Sequence, residues 1–84
     1  MKNRKNTVLS FTVLYKKVPE GGYVISVPVL PGCHTQGETI EEAEHNIKEA
    51  IELYLESITE HKEKLPRESS ILSGTVQVHY PFAI

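Results

Sequence analysis

Gly21 to Leu55, GGYVISVPVLPGCHTQGETIEEAEHNIKEAIELYL, carries in one run a strand, a Pro-Gly turn, a second short strand and a capped helix, and it decides the fold. Tyr23, Ile25 and Val27 alternate with Val24 and Ser26, the period-two pattern of a strand with one face turned inward. Pro28 has no amide to give a ladder and marks the end of that strand. Pro31-Gly32 supplies the central residues of a type II turn, because Pro presets the first φ and Gly accepts the positive second one. Cys33 to Gln36 follows as a short third strand, which Gly37 ends. Thr39-Ile-Glu-Glu42 is a capping box: the Thr39 hydroxyl is expected to accept from the Glu42 amide, and the Glu42 carboxylate from the Thr39 amide. From there Ile40, Ala43, Ile47, Ala50, Ile51, Tyr54, Leu55 and Ile58 step by three and four into one apolar stripe. Glu41, Glu44, Lys48, Glu52 and Glu56 face the other way.

Upstream of this stretch, Val8 to Lys16 places Leu9, Phe11, Val13 and Tyr15 on one face and Ser10 and Thr12 on the other, predicting a first strand. Val18-Pro-Glu-Gly-Gly22 breaks the alternation and reverses the chain. Downstream, the polar run Thr59 to Lys64 lets the helix fray, Pro66 terminates it, and Arg67 to Ser70 form an exposed loop. Thr75 to Tyr80 alternates Val76, Val78 and Tyr80 against Gln77 and His79 as a fourth strand, closed by Pro81. The class is α+β, in the order β-β-β-α-β. The helix between the third and fourth strands acts as a crossover that permits parallel pairing of the last strand. With the first three strands in a meander, the expected result is a mixed sheet of order 3-2-1-4 with one helix packed on one face. The opposite face, bearing Val8, Ser10, Thr12, Leu14, Val24 and Ser26, has no helix of its own to cover it. Residues 1–84 are expected to form a single domain with a flexible start at residues 1–6.

The 84 residues suffice for one core, burying about 60–65% of the surface that the unfolded chain exposes. A net charge of -2 gives no strong global field and disfavours a basic nucleic-acid binder. The charge is nonetheless unevenly placed. All eleven acids are glutamates, and nine of them lie between Glu38 and Glu63, whereas Lys2, Arg4, Lys5, Lys16 and Lys17 cluster before or at the end of the first strand. An acidic helix thus opposes a basic edge, a pattern able to orient a charged partner or a second copy of the chain. One cysteine excludes an internal disulfide, and no apolar run approaches a membrane span, so the expected compartment is the cytoplasm.

Few residues offer chemistry. Cys33 and His34 are adjacent on a strand and point to opposite faces, so they cannot form a thiolate-imidazole pair or chelate one metal. Cys33 reads as a small buried hydrophobe. Glu41, Glu42, His45 and Glu49 share a helix surface but supply no closed metal-ligand pattern. His61 and His79 read as solvent-facing. The glycines match no phosphate-binding fingerprint, and no predicted strand carries an acid in its interior, as a magnesium-dependent nuclease would need. No catalytic residue, metal or cofactor is expected, and the activity is expected to reside in a surface.

The combination of Gly21-Gly22-Tyr23, the turn Val27-Pro28-Val29-Leu30-Pro31-Gly32-Cys33, the segment His34-Thr35-Gln36-Gly37-Glu38-Thr39 and the helix bearing Glu41-Glu42-Ala43 and Asn46-Ile47-Lys48-Glu49-Ala50-Ile51 resembles the HicB-type antitoxin family. The resemblance runs from Val8 through Leu65-Pro66 to Gly74-Thr75-Val76. It implies a partial ribonuclease H-like fold and a role in binding and silencing a HicA-type toxin, a small messenger-RNA-cleaving ribonuclease encoded beside its antitoxin. Many members of that family carry a further DNA-binding module. None follows the last strand within this sequence, and direct operator binding is not expected. The absence of aspartate also removes the carboxylates of a working ribonuclease H site. The residues expected to meet the partner are Pro31, His34 and Gln36 on the third-strand segment and Glu41, Glu44 and Glu52 on the helix. A stand-alone homo-oligomeric interaction module with no toxin partner is the alternative, since an uncovered sheet face and free edges favour self-association.

Overall fold

The computed structural model describes residues 8–82. The expected start at residues 1–6 lies outside them. Three short strands, β1 (Leu14–Lys17), β2 (Tyr23–Ser26) and β3 (His34–Gly37), form an antiparallel meander, followed by one long helix, α1 (Ile40–Glu60), and a single 3₁₀ turn at Glu68–Ser70. The register pairs Leu14 with Ser26 and Lys17 with Tyr23, then Tyr23 with Gly37 and Ser26 with His34. The order β1-β2-β3 is that expected for the first three strands.

The core lies between the sheet and α1. Ile25 and Leu30 are completely buried, and Val27, Val29, Cys33, Ala43 and Ile47 close around them. Phe11, Val13, Tyr23, Ala50, Ile51 and Tyr54 pack against that cluster from its margin. Apart from Ile40, which is exposed, the expected apolar stripe of the helix faces inward, while Glu41, Glu44, Lys48, Glu52 and Glu56 are exposed. Much of the core comes from the bend between β2 and β3. There the Leu30 amide donates to Val27 O, the Cys33 amide to Leu30 O and the Val27 amide to Cys33 O, at 2.9 to 3.0 Å. Gly32 sits at φ 82°, as the second central residue of a type II turn requires. These nested turns face Val27, Val29, Leu30 and Cys33 inward together.

The same bend shortens the first strand, which spans Leu14–Lys17 and not Val8–Lys16. Continuing the register upstream of Leu14 and Ser26 would set residues 8–13 opposite residues 27–32, which are folded into turns and include Pro28, without an amide. Residues 8–13 consequently have no ladder, although Phe11 and Val13 still reach the core. The third strand begins at His34, one residue later than expected, because Cys33 belongs to the turn.

The start of α1 follows its signal in one half and departs from it in the other. The Thr39 hydroxyl accepts from the Glu42 amide at 3.1 Å. The Glu42 carboxylate accepts from the Glu38 amide, not from that of Thr39. At the other end the helix does not fray toward Pro66 but closes in a Schellman motif. The Lys62 amide donates to Thr59 O and the Glu63 amide to Ile58 O, with Lys62 at φ 55°. A left-handed conformation costs a residue with a Cβ about 1–2 kcal/mol, so Lys62→Gly should stabilise the domain by about 1 kcal/mol, read as a higher urea midpoint at unchanged m-value. An unchanged or lower midpoint would contradict this account of the helix end.

Residues 75–80 enter no ladder. Val76 and Val78 are 86% and 83% exposed, and every residue from Ile71 to Phe82 is exposed. The molecule measures 68 × 29 × 20 Å, and a helix of 21 residues accounts for only about 32 Å of that long axis. Among the described residues no helix is long and apolar enough to cross a membrane.

Candidate protein-interaction surfaces

The expected contact residues fall on two surfaces. Ile25 is buried beneath α1, so its ladder partners Tyr15 and Thr35 also point to the helix side, and their neighbours point away. His34 and Gln36 therefore lie on the open face of the sheet with Leu14, Lys16, Val24 and Ser26. His34, Gln36 and Leu14 are exposed there, and no element of the described chain covers them. Pro31 is exposed at the apex of the type II turn, beyond the end of this face.

Glu41, Glu44 and Glu52 stand on α1, across the sheet from His34 and Gln36. Glu41 and Glu52 lie about three turns apart on its outer face with His45, Glu49 and Glu56, all exposed. Lys48 is the one basic residue within the helix. His45 Nε2 is 3.6 Å from Glu49 Oε2, an exposed pair one turn apart. Glu44 differs from its neighbours. It sits on the flank of the helix beside β1, where its carboxylate accepts from the Tyr15 hydroxyl. That hydrogen bond, with lesser contributions from desolvation and the glutamate charge, raises the Tyr15 pKa above the usual 10.0. Glu44 therefore ties the helix to the sheet edge.

Cys33 is 6% exposed within the core, and burial raises its thiol pKa. A protonated, buried thiol is a poor nucleophile, and His34 points to the far side of the sheet. Among the described residues no three His, Cys, Asp or Glu side chains gather where they could hold one metal ion. His61 is exposed, as expected, and donates from Nδ1 to the Ser57 carbonyl at 2.8 Å, helping to close the helix. His79 is exposed.

A further feature escapes a reading of single segments. Leu9 and Phe11, ahead of β1, and Ile47, Ile51 and Leu55 on α1 line an open, largely apolar groove of about 430 Å³, which Lys48 and Glu52 also border. Its walls are some forty residues apart in sequence. The available signal is the width of the helical stripe, since Ile51 and Leu55 extend it to one side of the residues that fill the core.

Sequence comparison is consistent with this architecture. Residues 11–83 match the family model described as HicB_like antitoxin of bacterial toxin-antitoxin system. A UPF0150 protein of Thermoplasma acidophilum is 52% identical over 62 residues, covering 74% of this chain and 90% of the relative. A UPF0150 protein of Synechocystis is 48% identical over 65 residues, covering 77% and 82%. An uncharacterized 14.9 kDa protein of Haemophilus phage HP1 is 43% identical over 70 residues, which is 83% of this chain but 52% of the phage protein. With a family match over nearly the whole sequence and relatives of similar length, the chain belongs to the HicB-like antitoxin family of bacterial toxin-antitoxin systems.

Proposed function

We propose that this domain is the antitoxin of a type II pair and neutralises a HicA-like, messenger-RNA-cleaving ribonuclease in the cytoplasm by covering its RNA-binding surface. The family implies a toxin partner. The observation that carries the specific reading is the outer face of α1, where Glu41, Glu49, Glu52 and Glu56 are exposed along the helix with Lys48 as the one basic residue. A protein that cleaves RNA presents positive charge to phosphates, and an acidic rod is complementary to it. Such charges chiefly speed and orient docking, while affinity comes from desolvated apolar anchors. Leu53, 67% exposed beside this face, is such an anchor. The role assigned to the chain is binding and not catalysis. The three-stranded antiparallel sheet and single helix of the described residues support the reading of a partial ribonuclease H-like fold, and the chain has no aspartate.

The helix face is preferred over His34, Gln36 and Pro31 because it alone concentrates charge of one sign. The double reversal Glu41→Lys/Glu52→Lys should lower the association rate with the small basic protein encoded by the adjacent reading frame at least tenfold at low ionic strength. The difference should shrink as salt is raised. Both side chains are exposed, so folding should be unaffected, and circular dichroism provides that control. An unchanged association rate would move the docking surface elsewhere.

A further inference from the structure

Three unfinished features of the described chain converge on one edge of the sheet. Residues 75–80 have the alternation of a strand but join no ladder. β1 pairs with β2 on one side only, leaving its other edge open. Beside the residues leading into β1 lies the apolar groove formed by Leu9, Phe11, Ile47, Ile51 and Leu55. The linker from the helix is fastened at this same edge, where Glu68 Oε1 accepts from the Thr12 amide at 3.1 Å. Its second carboxylate oxygen is shielded from solvent with no hydrogen-bond donor among the described residues. From there every residue from Ile71 to Phe82 is exposed, including the alternating Val76, Val78 and Tyr80.

We propose that Thr75–Tyr80 of one chain completes the sheet of a second copy, lying beside β1 with Val76, Val78 and Tyr80 turned into the groove of that copy. The occupant follows from the fact that one chain carries both halves of the contact, a strand without an edge and an edge without a strand. Two copies related by a two-fold axis satisfy both halves twice and close the assembly. A different protein seated in the groove would leave the strand unpaired. The chemistry also matches: alternation puts the apolar side chains against Leu9, Phe11, Ile47, Ile51 and Leu55, with Lys48 and Glu52 also bordering the groove, and leaves Gln77 and His79 facing out. The linker is held at its own sheet edge by the Glu68–Thr12 bond, and from Ile71 to Phe82 the chain is exposed and joins no ladder. The strand order 3-2-1-4 is then completed by exchange, the fourth strand coming from the other protomer. This dimer does not depend on the toxin reading, and no toxin enters its test.

The full-length chain is examined by light scattering and by amide hydrogen exchange at high and low concentration. The expected result is a particle of twice the 9.5 kDa chain mass, with Gln77–Tyr80 amides protected at least tenfold. Mass and protection should be lost together on dilution. Val78→Pro removes an amide from the exchanged strand and should yield monomer with unchanged helical circular dichroism, since Val78 is 83% exposed in the single chain. Val78→Lys keeps the amide but places charge in the groove, and should weaken dimerisation at least tenfold. A monomer at all concentrations, a dimer that survives both substitutions, or protection independent of concentration, which would place the strand on its own edge, overturns the proposal.

Discussion

Ile25→Ala will lower the unfolding free energy by about 3 kcal/mol, within the 2–5 kcal/mol that removing a buried isoleucine side chain costs through lost transfer energy and the cavity left behind. Ile25 is completely buried at the centre of the middle strand, in the same cluster as Ala43 and Ile47. Its loss cannot be healed by movement of β2, which is laddered on both sides. Native domains retain about 5–15 kcal/mol in total, and an 84-residue chain with eight buried hydrophobic residues among those described belongs near the lower end. About 2 kcal/mol then remains, which raises the unfolded population to a few per cent at about 25 °C. Urea denaturation checks the value. Leu53→Ala, at a side chain 67% exposed, is the control and should shift stability by less than about 0.5 kcal/mol. Equal effects at the two positions would mean that the sheet and helix do not enclose the core described.

The second large effect is expected at Gly37, the hinge between β3 and α1. A Cβ built on Gly37 would lie 2.5 Å from the Ala43 amide nitrogen and 2.9 Å from its Cα, so the obstacle is helix backbone and cannot rotate away. Ala43 is completely buried, and the Asn46 side-chain amide donates to the Gln36 carbonyl at 2.9 Å across the same junction. Gly37→Ala must push the first turns of the helix off the sheet, costing about 1–3 kcal/mol or more as an overpacking substitution. For a domain of this size each 1 kcal/mol moves the melting temperature by about 4–8 °C, so a drop of about 10 °C or more is expected. Gly74→Ala meets nothing within 4 Å and should be close to neutral. A Gly37→Ala protein that melts with the wild type would show that the helix does not approach β3 this closely.

These sites show how much of the molecule could be read from its sequence. The helix, its N-terminal cap, the Pro31-Gly32 turn and the inward face of Tyr23–Val27 were legible because each is decided by residues a few positions apart. The second capping bond went to Glu38, since the Glu42 carboxylate can reach either amide and periodicity does not choose between them. The helix end was misplaced because Lys62 adopts a left-handed conformation that favours glycine, whereas Pro66 gave the stronger local signal. The first strand was overextended because ladder length depends on the partner, and its partner bends at Val27 and Pro28. The last strand has the right alternation but no pairing within the chain, a property that no local pattern encodes.

The candidate site was less legible than the fold. Pro31, His34 and Gln36 are near Glu41 and Glu44 in sequence, yet the sheet separates the open-face pair from the helix, and Glu44 is engaged by Tyr15. Pairing through the sheet, not distance along the chain, decides which exposed residues share a surface. The apolar groove was missed for the same reason, being assembled from Leu9, Phe11 and helix residues some forty positions later.

The most direct measurement is titration of the purified chain into an RNA-cleavage reaction driven by the small basic protein encoded beside it. The account predicts that cleavage falls in proportion to added antitoxin and stops near a fixed stoichiometric ratio at micromolar concentration, with the Glu41→Lys/Glu52→Lys protein suppressing it more slowly. Cleavage that continues unchanged with the chain in excess would contradict it.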